Sequence, residues 1–184
     1  MKFIKYFLLS TILFLSNVIA ATPLDQMIFS LQEQTDLIEW VKDNAQIKLN
    51  DSDALKIIRE AYAQGYSSNI SPHLILAMIK IESGFRHKAR STEGATGLMQ
   101  VIPKWHKDKL KNRNPTDVKV SIEVGTKILS DCFVKHNNNS LKALNCYSGG
   151  GGKKYFNKVF DYKQVITAFV NNTDTRNSVI MASR

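Results

Sequence analysis

The run from Ser71 to Pro103, SPHLILAMIKIESGFRHKARSTEGATGLMQVIP, constrains this chain more than any other stretch. Ser71 is a favoured N-cap residue, and Pro72 stands at the first helical position, where its missing N–H costs nothing. Leu74, Ala77, Met78 and Ile81 recur at helical spacing, with Ile75, Ile79 and Glu82 on an adjoining stripe. A helix apolar over so much of its circumference belongs at the centre of a fold. Gly84 is a natural stop. Glu82 therefore falls in the last turn. Apolar walls and the negative end of the helix dipole both favour its protonated form there. A carboxyl that keeps its proton near neutral pH can serve as a general acid.

The surrounding chain is read as scaffold. Asn50 to Asp53 is a cluster of capping residues, and ALKIIREAYAQ after it is amphipathic and is expected to end at Gly65. From Phe85 to Thr96 helical periodicity is lost, and Gly94 and Gly97 mark a loop made basic by Arg86, His87, Lys88 and Arg90. Trp105 is read as a core or cleft-wall aromatic. Val118, Ile122, Gly125 and Leu129 give a further helix whose glycine permits close packing. Leu141 to Cys146 is a short helix, and Tyr155, Val159 and Phe160 lie on another. Strand signals are scarce. The expected fold is mainly α, with at most a small β element near the loop.

Residues 1–20 read as a secretory signal peptide: Lys2 and Lys5, a short apolar run from Tyr6 to Leu15, and Ala20 as a cleavage residue. The run is shorter than the ~20 residues that span a bilayer, so the mature chain is expected to be exported to the periplasm without a membrane span. An uncleaved N-terminal anchor is the alternative. Loss of Lys2 and Lys5, with no acid, lowers the formal charge from +9 to +7. Such a balance suits anionic partners such as cell-wall polymers, or simply a soluble surface. Nucleic acid is disfavoured, since no binding motif is recognisable. Residues 21–51 are expected to form a helical extension packed on the outside of a main domain over 52–170, and residues 171–184 a polar C-terminal tail. A monomer is expected.

Cys132 and Cys146 are either a disulfide or two buried thiols. An oxidising compartment favours the disulfide, which would close a loop of ~15 residues and stabilise by about 3 kcal/mol. The four histidines show no ligand spacing, so neither a metal nor another cofactor is expected.

Taken together, Glu82-Ser83-Gly84-Phe85, Ala89, Ser91, Gly94-Ala95, Gly97-Leu98-Met99-Gln100 and Pro103 resemble the signature of the lytic transglycosylases with a lysozyme-like domain, the soluble lytic transglycosylase (SLT) type. The resemblance continues through Asn114-Pro115 and the helix after it. Ala143 to Gly150 is similar to a pattern usually ending Tyr-Asn-x-Gly, and Tyr155 to Val159 to a Tyr-x-x-Lys-Val segment. It covers roughly residues 52 to 159. Ser148 departs from the usual Asn, Ile102 replaces a common Met, and four glycines replace a Gly-Pro-Gly type of turn.

The resemblance implies a lysozyme-like α+β domain that cleaves the β-1,4 bond between N-acetylmuramic acid and N-acetylglucosamine in peptidoglycan. Glu82 would be the acid and then the base. Ser91 would lie near the N-acetyl group, Gln100 would line the sugar cleft, and the Tyr147 hydroxyl would approach the acid. The bland readings of these three are a turn residue, a backbone-bonding cap and a core aromatic. Small members of this type open the wall for secretion, conjugation or pilus machines, whose components would then be partners. Retaining glycosidases use a second carboxylate ~5–5.5 Å away. None stands out: Glu93 lies in the loop, and Asp108, Asp117 and Asp131 sit in surface or capping stretches. In the family the substrate's N-acetyl group and C6 hydroxyl take over, giving a 1,6-anhydro product. A hydrolytic muramidase of the same fold and a non-catalytic wall-binding factor are the alternatives.

Overall fold

The computed structural model describes residues 31–182, without the side chains of Gln32 and of residues 173–182. The signal-peptide reading and the start of the expected extension lie outside the described residues. Seven helices follow in order: α1 (Leu31–Asn44), α2 (Asp51–Ser68), α3 (Pro72–Ser83), α4 (Lys107–Leu110), α5 (Val118–Lys135), α6 (Ser140–Tyr147) and α7 (Gly152–Ala182). The β content of the described residues is two isolated antiparallel bridges, Arg90 with Thr96 and Thr96 with Val101. The mainly-α expectation holds, and the small β element lies in and just beyond the expected loop.

The core forms around α3. Leu74 to Ile79 are six consecutive buried residues, which is possible only if neighbours cover the helix on several sides. α3 packs on α2 and α7. α5 packs on α2 and α6, and α6 also packs on α7. Asn50, Asp117 and Asn139 cap α2, α5 and α6, each side chain accepting the N–H three residues on. Ser71 stands at the expected cap position of α3, but its side chain makes no capping bond. Gly65 does not end α2. The helix runs to Ser68 and closes on Asn69 in the left-handed conformation. A side chain at position 65 would meet the Ile70 carbonyl, so the glycine serves close packing of the α2–α3 turn.

Two expectations at the ends of the chain are corrected. α1 does not lie outside the main body. Leu37 and Val41 are fully buried, Trp40 nearly so, and all three join the main core. Trp40 meets Phe85 and Tyr162 edge-on, with ring centroids 6.0 and 6.5 Å apart. Burial of such side chains stabilises by ~1.5–3 kcal/mol each. α7 is not a short helix followed by a tail. It continues to Ala182, and no glycine or proline interrupts residues 153–182. Val159, Ile166 and Val170 hold it on the core.

A polar chain links α1 and α7, through α2, to the first turn of α3. Thr167 Oγ1 donates to the Lys163 carbonyl, so it accepts from His73 Nδ1 at 2.9 Å. His73 Nε2 lies 3.0 Å from the Tyr62 hydroxyl, which donates to Glu33. Four helices are thus joined through groups largely shielded from water. Cys132 of α5 and Cys146 of α6 form a disulfide, with Cα atoms 5.9 Å apart. No helix among the described residues is long and apolar enough to cross a membrane.

Candidate active site

α3 places Glu82 one residue before its end. Gly84 then takes the left-handed conformation at φ +56°, its N–H donating to the Lys80 carbonyl. Glu82 is largely enclosed. Burial pushes its carboxyl above its ordinary value, and a hydrogen bond from Tyr155 partly opposes that. Lys80, the cation nearest in sequence, is occupied elsewhere. Its Nζ donates to the Asn44 carbonyl and lies 5.7 Å from the centre of the Tyr162 ring. Among the described residues no cation is a cause of the Glu82 shift.

Tyr155, in the first turn of α7, donates its hydroxyl to Glu82 Oε1 at 2.5 Å. With Oε1 accepting, the proton of the acid belongs on Oε2. The Tyr155 hydroxyl is held well above its ordinary pKa, first by burial and then by the Glu82 charge. It stays a donor across any working pH. Tyr147 is also raised, by burial and then by the charge of Glu82, but its hydroxyl donates to the Met99 carbonyl at 2.7 Å. Tyr147 thus sits within electrostatic reach of Glu82 and pins the loop, while Tyr155 makes the direct bond. Tyr155 had a signal in the Tyr-x-x-Lys-Val resemblance. Helical periodicity alone could not tell it from a core aromatic.

The loop after α3 is stitched by its own backbone. Thr96 and Val101 exchange hydrogen bonds, and Gly97 N–H donates to the Ala89 carbonyl. Ser91 Oγ accepts the Ala95 N–H at 3.0 Å while Ser91 stays exposed. Gln100 is half-buried at φ +48°, its Nε2 donating to the Gly97 carbonyl at 2.9 Å and the Ala89 carbonyl at 3.4 Å. Both residues therefore shape the loop. Among the described residues no hydrogen bond joins either side chain to Glu82. Leu98 and Met99 are fully buried. Met99 lies against Gly125, where an added Cβ would come within 2.5 Å of the Met99 Cβ. Trp105 is 66% exposed, which removes the core reading for it. No group of three or more His, Cys, Asp or Glu able to hold a metal occurs among the described residues.

The pairing of Tyr155 and Glu82 gives a testable expectation. The Tyr155 bond lowers the Glu82 pKa against the stronger effect of burial. Tyr155→Phe should therefore raise that pKa further and move the alkaline limb of the rate profile to higher pH. Loss of the positioning bond should also lower the maximal rate by about tenfold. A pH–rate profile of the variant checks both. An unshifted limb would count against the direct bond.

An enclosed carboxyl at a helix end, raised by burial and fixed by one tyrosine, can donate a proton and take one back. Comparison with known proteins bears on which family this arrangement belongs to. The family described as the transglycosylase SLT domain matches residues 60–169, more than half of the 184-residue chain. Among solved structures, an inactive variant of the lytic transglycosylase Slt from Pseudomonas aeruginosa is similar at 20% identity and a TM-score of 0.48. That match covers 65% of this chain and 24% of the Slt chain, so this chain spans about a quarter of that structure's length. On the extent of the family match, the chain belongs to the transglycosylase SLT domain family.

Proposed function

We propose that this protein is a peptidoglycan lytic transglycosylase. The observation that carries the reading is the state of Glu82: a largely enclosed carboxyl, raised by burial, on which among the described residues only Tyr155 otherwise acts. A second carboxylate at ~5–5.5 Å would add a like-charge push, and no acid among the described residues does so.

The steps follow from that single acid. Glu82 protonates the glycosidic oxygen from Oε2. The bond to C1 of N-acetylmuramic acid breaks as the substrate's own N-acetyl carbonyl oxygen attacks C1, forming an oxazolinium. Glu82, now a carboxylate, takes the proton of the C6 hydroxyl. O6 attacks C1, the oxazolinium opens, and a 1,6-anhydro sugar remains with Glu82 protonated again. No water enters the product. The Tyr155 hydroxyl stabilises the carboxylate between the two transfers. Ser91 and Gln100 are proposed to meet the N-acetyl group and the sugar, and their loop hydrogen bonds hold them in place.

The reading extends to a role in opening the wall locally for an envelope-spanning secretion, conjugation or pilus machine, after export to the periplasm. The signal-like residues 1–20, the basic charge and the Cys132–Cys146 disulfide support export. Retention of the full chain in the cytoplasmic fraction would overturn that part.

Digestion of purified sacculi tests the activity. Product masses should show anhydro ends, lighter by one water than hydrated reducing ends, with wild type and not with Glu82→Ala. Hydrated ends alone would assign the protein as a hydrolytic muramidase. Unchanged digestion by the variant would remove Glu82 from the chemistry.

A further inference from the structure

Four of the five residues 86–90 are basic: Arg86, His87, Lys88 and Arg90, interrupted by Ala89. They do not form a convex surface. With Ile47 they line a hollow of about 390 Å³. Its walls come from two parts of the chain and are tied together, since Gln46 N–H donates to the Gly84 carbonyl at 2.9 Å. Arg86 Nε donates to the Ser83 carbonyl at 2.9 Å, and Ala89 N–H to the Arg86 carbonyl at 3.0 Å. The floor is therefore set before any ligand arrives. The Ala89 carbonyl accepts from Gly97 N–H and Gln100 Nε2, so the far wall is continuous with the candidate site loop.

The described ion pairs engage Lys42, His73, Lys109 and Arg113. No described acid lies within ion-pair distance of Arg86, His87, Lys88 or Arg90. Like charges gathered in a concavity without counter-ions repel one another, and an incoming anion relieves that repulsion. A carboxylate also suits the terminal guanidinium nitrogens of Arg86 and Arg90. Ile47, 38% exposed, adds an apolar wall.

We propose that this hollow binds the carboxylates of the peptide stem carried by the glycan strand, so that the protein reads peptide as well as sugar. The proposal rests on the peptidoglycan reading above. The sugar backbone offers little negative charge. The stem offers several carboxylates, and small alanyl methyls that fit against Ile47. Of the anionic partners a basic surface could take, the stem is the one covalently delivered to the loop beside Glu82.

Binding separates this from the chemistry. Glu82→Gln, as the full chain, is titrated against a labelled glycan fragment carrying tetrapeptide stems, and against the same fragment stripped of its stems. Adding Lys88→Gln and Arg90→Gln should weaken binding of the stem-bearing fragment by roughly fivefold or more, most strongly at low salt. The stripped fragment should change less than about twofold on the same grounds. Equal weakening for both fragments, or no change for either, would overturn the proposal alone. So would loss of binding to phosphatidylglycerol vesicles with stem affinity retained, which would assign the hollow to a lipid surface. If the starting protein binds neither fragment, the peptidoglycan reading falls with it.

Discussion

Glu82→Gln is expected to lower glycan cleavage by about 10²- to 10⁴-fold, the usual contribution of a positioned acid–base group, while the fold persists. Gln keeps the shape, and its carbonyl oxygen can still accept from Tyr155. The substitution should also change how stability depends on pH. Glu82 has its folded pKa raised above the ordinary 4.5, so over that window the folded protein holds a proton that the unfolded chain releases. The favourable contribution of the protonated group is complete below 4.5 and is lost as pH rises through the raised folded value. Gln carries no such loss. The variant should melt above wild type at neutral pH, and the gap should close on acidification toward 4.5. Thermal melts across pH check this. A variant less stable than wild type at neutral pH would mean that Glu82 is ionised and paired in the fold.

Gly97→Ala is expected to have the largest effect on stability. Gly97 has φ +84°, a conformation costly for a side chain, and an added Cβ would stand 1.9 Å from the Pro115 carbonyl oxygen and 2.6 Å from Ser121 Oγ. Backbone strain of ~1–2 kcal/mol and overpacking of ~1–3 kcal/mol act together there. The melting temperature should fall by about 10 °C on the usual scaling for a domain of this size. Activity should fall even well below the melt. The same shift would move Met99, whose N–H Ser121 accepts, and Gln100 beside it. Calorimetry with an assay at reduced temperature separates the two effects. A melt within a degree or two of wild type would show that the loop relaxes freely.

Local pattern carried much of this molecule. Apolar recurrence from Leu74 to Ile81 and the stop at Gly84 located α3 and its acid, because period and punctuation are properties of neighbouring residues. The same holds for Asn50 and Asp117 as caps, whereas the cap of α6, Asn139, lay in a stretch that reads only as a loop. What the pattern could not carry was pairing over distance. Glu82 and Tyr155 are 73 residues apart, and nothing local to either names the other. Nothing in the helical spacing of Leu37 and Val41 says that they enter the main core. The polar end of α7 shows no clear apolar face, so its persistence as a helix went unread. Ser91 and Gln100 were singled out by resemblance alone. Their bonds to the loop backbone depend on turn geometry, including the positive φ of Gln100, that composition does not reveal.

The contact between α3 and α7 makes the acidity of Glu82 a gauge of how well the two helices are seated. Burial dominates its pKa, and Tyr155 opposes it more weakly. Were α7 to lift away, water would reach the carboxyl at the moment its tyrosine departed. Renewed solvation would win, and the Glu82 carboxyl would move back toward its ordinary value. On the proposed mechanism, a partly unseated molecule would hold less firmly the proton that the first step spends.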